Sequence, residues 1–299
     1  MIASRTGGRR EKQSKMTRPE KVLVYRHAGV TRVTHWVNVV ALTLLLMSGL
    51  QIFNAHPALY WGARSHFDHP WLSMTGQLQG DKAIGVTQLG PFRWDTTGLF
   101  GVSGKGEMLA YRGFPRWVTL PASQDLADGR RWHFFFAWLF VINGLIYWGT
   151  NLINGHIRRD LVPAGKDLAP ANLWHEIVTH AQLKFPKGEE ARHYNVLQKG
   201  AYLAVVLFLL PLMVLTGLTM SPGIDAGFHW LVDLFGGRQS ARTIHFISAT
   251  LIVAFILVHL AMVVASGTWN NIRSMITGRY AIEAEPKPEA EPALQGAAE

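Results

Sequence analysis

Four histidines lie where a histidine is costly. His35, His133, His245 and His259 sit in or at the start of stretches that hold no Asp, Glu, Lys or Arg. An ionisable side chain in such a stretch is a functional candidate by default. His245 and His259 are 14 residues apart. On an α-helix that is about 21 Å along the axis, and fourteen steps of ~100° return the second ring to within roughly 40° of the first. One helix would then carry two imidazoles on one face at two depths. Imidazole is a good axial ligand for heme iron, and two of them give a six-coordinate iron suited to electron transfer rather than oxygen binding. A zinc or proton-relay site explains the spacing badly, since rings so far apart cannot share one small ion. A lone intramembrane His is ordinarily a hydrogen-bonding core residue; four at matched depths favour heme.

An arginine precedes three of the four by three residues: Arg32 before His35, Arg130 before His133, Arg242 before His245. Positions i and i+3 share a helix face. Each guanidinium would sit one turn nearer the surface, where it could pair with a heme propionate. Arginine is also common where a helix leaves a membrane, so both readings stand. The chain has no Cys, which excludes disulfides, thiolate metal sites and covalent C-x-x-C-H heme attachment.

The elements that must position these rings follow from charge patterning. Of the 299 residues, 16% are charged, against roughly 25% in soluble domains. Four windows are free of formal charge: Val33–Ala63, Trp132–Ile157, Gly200–Ile224 and Thr243–Ile272. Each is long enough to cross ~30 Å of hydrocarbon as a helix, and an open strand could not satisfy its backbone there. The predicted spans are Thr34–Asn54, Arg131–Asn151, Gly200–Met220 and Thr243–Ser266. Pro211 predicts a kink in the third. The fold class is therefore an all-α, integral membrane four-helix bundle, with a long extracytoplasmic insertion between helices 1 and 2.

Residues 1–32 carry 9 Lys+Arg and 2 Asp+Glu. The positive-inside rule places the N-terminus in the cytoplasm, and with four spans the C-terminus beside it. Residues 1–20 lack the apolar stretch of a cleaved signal peptide. This topology pairs His35 with His259 near the inner side, and His133 with His245 near the outer side. The domain reading is a basic, disordered tail over 1–24, the membrane domain over 25–280 with its insertion at 55–129, and a disordered tail over 281–299. The insertion's Gly/Pro/Trp composition suggests short strands and turns. The net charge of +9 reads as topology, and no basic stripe with interleaved aromatics points to nucleic acid. His175 and His180 are five apart, where a zinc-protease helix needs four. Leu173–Phe185 reads instead as an interfacial amphipathic helix.

Arg32-Val-Thr-His35-Trp36, Arg130-Arg-Trp-His133-Phe and Arg242-Thr-Ile-His245, followed after 14 residues by His259, resemble the bacterial cytochrome b561 and nickel–iron hydrogenase cytochrome b family. The likeness covers most of residues 25–280 and is greatest to the thiosulfate reductase cytochrome b subunit type. It implies a multi-pass subunit of the bacterial inner membrane holding two heme b. Such a subunit exchanges electrons between the quinone pool and an extracytoplasmic catalytic oxidoreductase subunit, often a molybdopterin enzyme or a hydrogenase. It is an electron-transfer subunit and not a stand-alone enzyme. The family's quinone slot lies near the inner heme, which makes Asn38, Trp269, Asn270 and Asn271 candidates. Asn38 also suits a helix–helix hydrogen bond, and Trp269 an interfacial anchor. The long insertion departs from the shorter family members and leaves the partner open. The alternative class is a transporter or channel with an intramembrane His/Arg path. That class would show symmetric helix breaks, whereas only helix 3 carries a proline.

Overall fold

A computed structural model describes residues 21–155, 169–182 and 196–283. Four helices in it are long and apolar enough to cross a membrane. The first two are α1 (Gly29–Phe53) and α2 (Leu126–Ile153). Between spans two and three lies α3 (Pro170–Ala181). The third span is composite: α4 (Val196–Leu203), a π-helical stretch over Ala204–Leu209, and α5 (Leu210–Thr219). Short α6 (Pro222–Gly227) and α7 (His229–Leu234) connect it to the fourth span, α8 (Arg238–Ala265). Last comes α9 (Thr268–Thr277).

The helices begin earlier than the charge-free windows, because those windows mark hydrocarbon and not helix ends. Helix α2 starts at Leu126, where the Asp125 carboxylate accepts from Asp128 N at 3.0 Å and caps the free N–H groups. Arg130 and Arg131 are then already inside the helix. At Pro211, where the sequence predicts a kink, the third span carries its π-helical stretch just before the proline. A proline has no N–H for the carbonyl four residues back, and the ladder there slips to wider i+5 turns.

The all-α expectation holds for the bundle but not for the whole chain. The insertion folds as a four-stranded antiparallel meander of β2 (Ala58–Leu59), β3 (Leu72–Gln79), β4 (Lys82–Leu89) and β5 (Phe92–Asp95), with a β6 (Gly101–Ser103) and β7 (Ala110–Arg112) hairpin beside it. Gly80 and Gly90, both at positive φ, form the two-residue loops that turn β3 into β4 and β4 into β5. A further pair lies at the chain ends: β1 (Lys21–Tyr25) runs antiparallel to β8 (Arg279–Glu283). Residues 21–24 and 281–283, which composition assigned to disordered tails, are therefore strand. Each supplies the backbone partners the other lacks, a pairing some 250 residues distant that no local pattern announces. The rest of the two tails and part of the interfacial-helix segment, residues 183–185, lie outside the described residues.

Side chains such as Leu145, Leu257 and Val258 are more than half exposed, which suits a lipid-facing surface. The interior of the bundle holds small and polar groups: Thr34, Ser48, Gln51, Asn143, Thr216, Thr219 and Ser248 are all buried. Helices in lipid gain little from burying oil against oil, so close approach and hydrogen bonds hold them. Ala41, Phe136 and Phe140 form the apolar centre between α1 and α2. A second cluster, Phe53, Leu59, Leu72 and Met74 with Phe114 and Phe246 against it, welds the insertion to the ends of α1 and α8.

Candidate functional site

The bundle brings the four histidines together in two pairs. His35 of α1 and His259 of α8 have ring centroids 6.5 Å apart, at 59°. His133 of α2 and His245 of α8 have centroids 6.4 Å apart, at 65°. A metal–imidazole bond is about 2 Å and a ring nitrogen sits about 1.1 Å from its ring centre, so two rings on opposite sides of one ion stand roughly 6 Å apart. Both separations suit a bis-imidazole ligand set. Among the described residues no group of three or more His, Cys, Asp or Glu forms a compact metal site.

Hydrogen bonds fix the tautomer of the second pair. Ser48 Oγ donates its proton to Leu44 O at 2.6 Å and faces His133 Nδ1 at 3.1 Å. Leu45 O, an acceptor only, stands 3.2 Å from the same nitrogen. His133 Nδ1 must therefore carry the proton, leaving Nε2 with its lone pair. Thr216 repeats the device: its hydroxyl donates to Leu212 O at 2.7 Å and accepts from His245 Nδ1 at 3.0 Å. Committing the outer nitrogen in this way orients a metal ligand and raises its basicity. A glycine follows each hydroxyl. A Cβ on Gly49 would stand 3.3 Å from His133 Cε1, and one on Gly217 would stand 3.4 Å from His245 Cε1. Each ring thus leans on a hydroxyl–glycine step of the neighbouring helix. Sequence reasoning does not find Ser48-Gly49 and Thr216-Gly217, because the same Ser/Thr–Gly step recurs elsewhere in the chain, as at Thr75-Gly76 and Ser266-Gly267.

The first pair is held differently. Phe255, one turn before His259, stacks on it at 6.0 Å and 15°. Trp36 meets His35 edge-on at 5.4 Å and donates from Nε1 to Met275 O at 3.1 Å. His35 Nδ1 is buried without a hydrogen-bond partner.

The arginines diverge. Arg32 donates to Ile276 O, tying α1 to α9. Arg242 donates to His56 O at 2.6 Å and lies over the Phe53 ring at 5.8 Å, so it locks α8 to the insertion. Arg130 is exposed and lies over Phe134 of its own helix at 5.6 Å. Beside Arg242, burial first and the guanidinium charge second hold the His56 imidazole below its usual pKa. Its Nε2 meets Tyr60 Oη at 3.0 Å.

Of the polar candidates near the first pair, Asn38 Oδ1 accepts from Asn143 Nδ2 at 2.7 Å across α1 and α2. Asn270 brackets Ala281 of β8 with both amide atoms. Asn271 caps the α8–α9 turn through Ser266 Oγ and Gly267 O. Trp269 is 77% exposed.

The family described as prokaryotic cytochrome b561 matches residues 26–278. A chain of Azospira oryzae, provisionally named protein-methionine-sulfoxide reductase subunit YedZ1, is 29% identical over 240 residues, 79% of this chain and 89% of that one. A chain of Cupriavidus necator, provisionally named Ni/Fe-hydrogenase B-type cytochrome subunit, is 27% identical over 162 residues, 50% of this chain and 62% of that one.

Proposed function

The chain belongs to the prokaryotic cytochrome b561 family, and from that premise we propose that it is a diheme membrane subunit relaying electrons between the quinone pool and a partner oxidoreductase. The observation that carries this reading is the pair of imidazole–imidazole separations, 6.5 and 6.4 Å, each spanning two helices. His35 and His259 would hold one heme b, and His133 and His245 the other. Bound there, heme supplies a one-electron couple with both axial positions filled. The chain's own part is to fix the rings, exclude water and bring two such centres within one bundle. Arg32, Arg130 and Arg242 stand one turn outward of three ligands, where a propionate would meet a cation. For Arg32 and Arg242 the backbone oxygens they now hold leave further N–H donors. Asn38 stays a candidate for the quinone side near His35, and its bond to Asn143 gives it a structural duty as well.

The relatives' names describe subunits of a methionine sulfoxide reductase and of a hydrogenase, which supports a catalytic partner. We assign that partner to the extracytoplasmic side, with molybdopterin as its cofactor class. The setting is the bacterial inner membrane, with both termini cytoplasmic and the insertion outside.

Heme content of single-ligand variants tests the reading. Purified protein should show two low-spin b-type hemes per chain. His259→Ala should lose the inner one and keep the outer, and His133→Ala the reverse. Unchanged heme content in either variant refutes that ligand assignment. Purification from native membranes that never recovers an oxidoreductase subunit would remove the partner.

A further inference from the structure

Arg112, in the hairpin of the insertion, is only 3% exposed. Its guanidinium is met by neutral oxygens: NH1 donates to Ala122 O at 2.9 Å, and NH2 to Gln51 Oε1 at 2.7 Å and Thr119 Oγ1 at 2.9 Å. Its Nε is buried with no partner, and no ion pair to it occurs among the described residues. Burying a charge without an opposite charge is expensive. Burial and then the nearby Arg116 pull its pKa below the usual arginine value, yet arginine stays charged at neutral pH.

The position is built and not incidental. Asn54, at the end of α1, brackets Phe114 with two hydrogen bonds, donating to its carbonyl at 3.1 Å and accepting from its N–H at 2.6 Å. A Cβ on Gly113, the residue after β7, would stand 2.9 Å from Pro57 Cβ and 3.4 Å from Phe53 Cε1, so the end of the hairpin is pressed against the end of α1. Gln51, which receives Arg112, lies three residues beyond Ser48, the hydroxyl that holds His133. Both are essentially fully buried and share one face of α1. The cation is therefore linked through Gln51, one helical turn along α1 from Ser48, to the hydroxyl that holds His133, in buried surroundings where its field is less screened than at the surface.

We propose that Arg112 is a potential-setting residue, whose buried charge raises the reduction potential of the heme held by His133 and His245. A fixed positive charge favours the ferrous state, which carries one positive charge fewer than the ferric. Net charge and burial are among the ways a protein tunes heme potential. The insertion would then reach into the bundle's energetics as well as cover its end. Arg242, half-buried, is held by His56 O and adds to the field in the same sense. It lies on the ligand's own helix, so Arg112 is the cleaner probe. This inference rests on the diheme reading.

The test is a spectroelectrochemical titration of the purified full chain, with the outer heme identified as the step absent from His133→Ala. Arg112→Met should shift the outer midpoint downward and leave the inner one in place, while Arg112→Lys should stay near wild type. Should Arg112→Met fail to fold, Gln51→Glu serves: it places a carboxylate against the guanidinium with little change in shape and should lower the same midpoint. An unmoved outer midpoint in Arg112→Met or Gln51→Glu overturns the proposal. So does a shift in Arg112→Lys as large as in Arg112→Met, since packing and not charge would then be responsible. A wild-type protein with no b-type bands refutes the diheme reading itself, and the role of Arg112 falls with it.

Discussion

A histidine becomes a dependable ligand only when its other ring nitrogen is already committed. Ser48 and Thr216 make that commitment for His133 and His245, whereas His35 Nδ1 is buried with no partner. The two pairs are thus unequally pre-organised. Thr216→Val keeps the shape of the side chain and deletes the acceptor. It should weaken retention of the outer heme by about 10- to 100-fold, the usual effect of removing such a supporting contact, and Thr216→Ser should restore it. Transfer of heme to an excess of an apo-acceptor protein measures this, and equal transfer rates in Thr216→Val and wild type would reject the role. The four histidines were legible as candidate ligands because such residues in charge-free sequence are conspicuous. Their supports were not, because Ser, Thr and Gly are ordinary in membrane helices and gain meaning only when a second helix brings a ring to them. Arg112 was invisible for a related reason: a basic residue in a polar insertion reads as solvated until folding buries it.

At the scale of elements, charge-free windows located all four spans and misplaced their ends. Helices α1, α2 and α8 start with polar or charged turns, as at Asp125–Arg131, that hydropathy cannot claim. Strand content in the insertion was legible from its Gly/Pro/Trp composition, while the β1–β8 pair needed the bundle to bring its two halves together. Contacts between spans are where a bundle in lipid gains specificity. Asn143 is the clearest case: its amide donates to Asn38 Oδ1 and to Thr34 O at 2.8 Å, joining α2 to α1 one turn from His35. Interhelical hydrogen bonds in membranes average about 0.6 kcal/mol, and the abandoned oxygens add to the loss when the donor is removed. Asn143→Leu should therefore destabilise the bundle by about 1 kcal/mol, read as an earlier midpoint on titration with denaturing detergent. A midpoint equal to wild type would make the contact incidental.

For the whole molecule, connectivity and chemistry constrain each other. The four spans among the described residues return the chain to the side it started from, and the β1–β8 pair joins the two flanks of the bundle there. His35 near the start of α1 must then lie level with His259 near the end of α8, and the insertion must lie at the opposite end with His133 and His245. The depth of each histidine pair thus follows from the parity of the spans, but which end faces the cytoplasm does not. That depends on the basic N-terminal segment, through the bias of Lys and Arg towards the cytoplasm. The absence of Cys makes the orientation directly measurable, because any introduced cysteine is the chain's only thiol. Gln79→Cys, exposed at the tip of the β3–β4 hairpin, should react with a membrane-impermeant maleimide in intact spheroplasts. Arg279→Cys, exposed on β8, should react only after the membrane is opened. The opposite pattern would invert the molecule, move the His133–His245 pair to the cytoplasmic side and place a partner docked on the insertion in the cytoplasm.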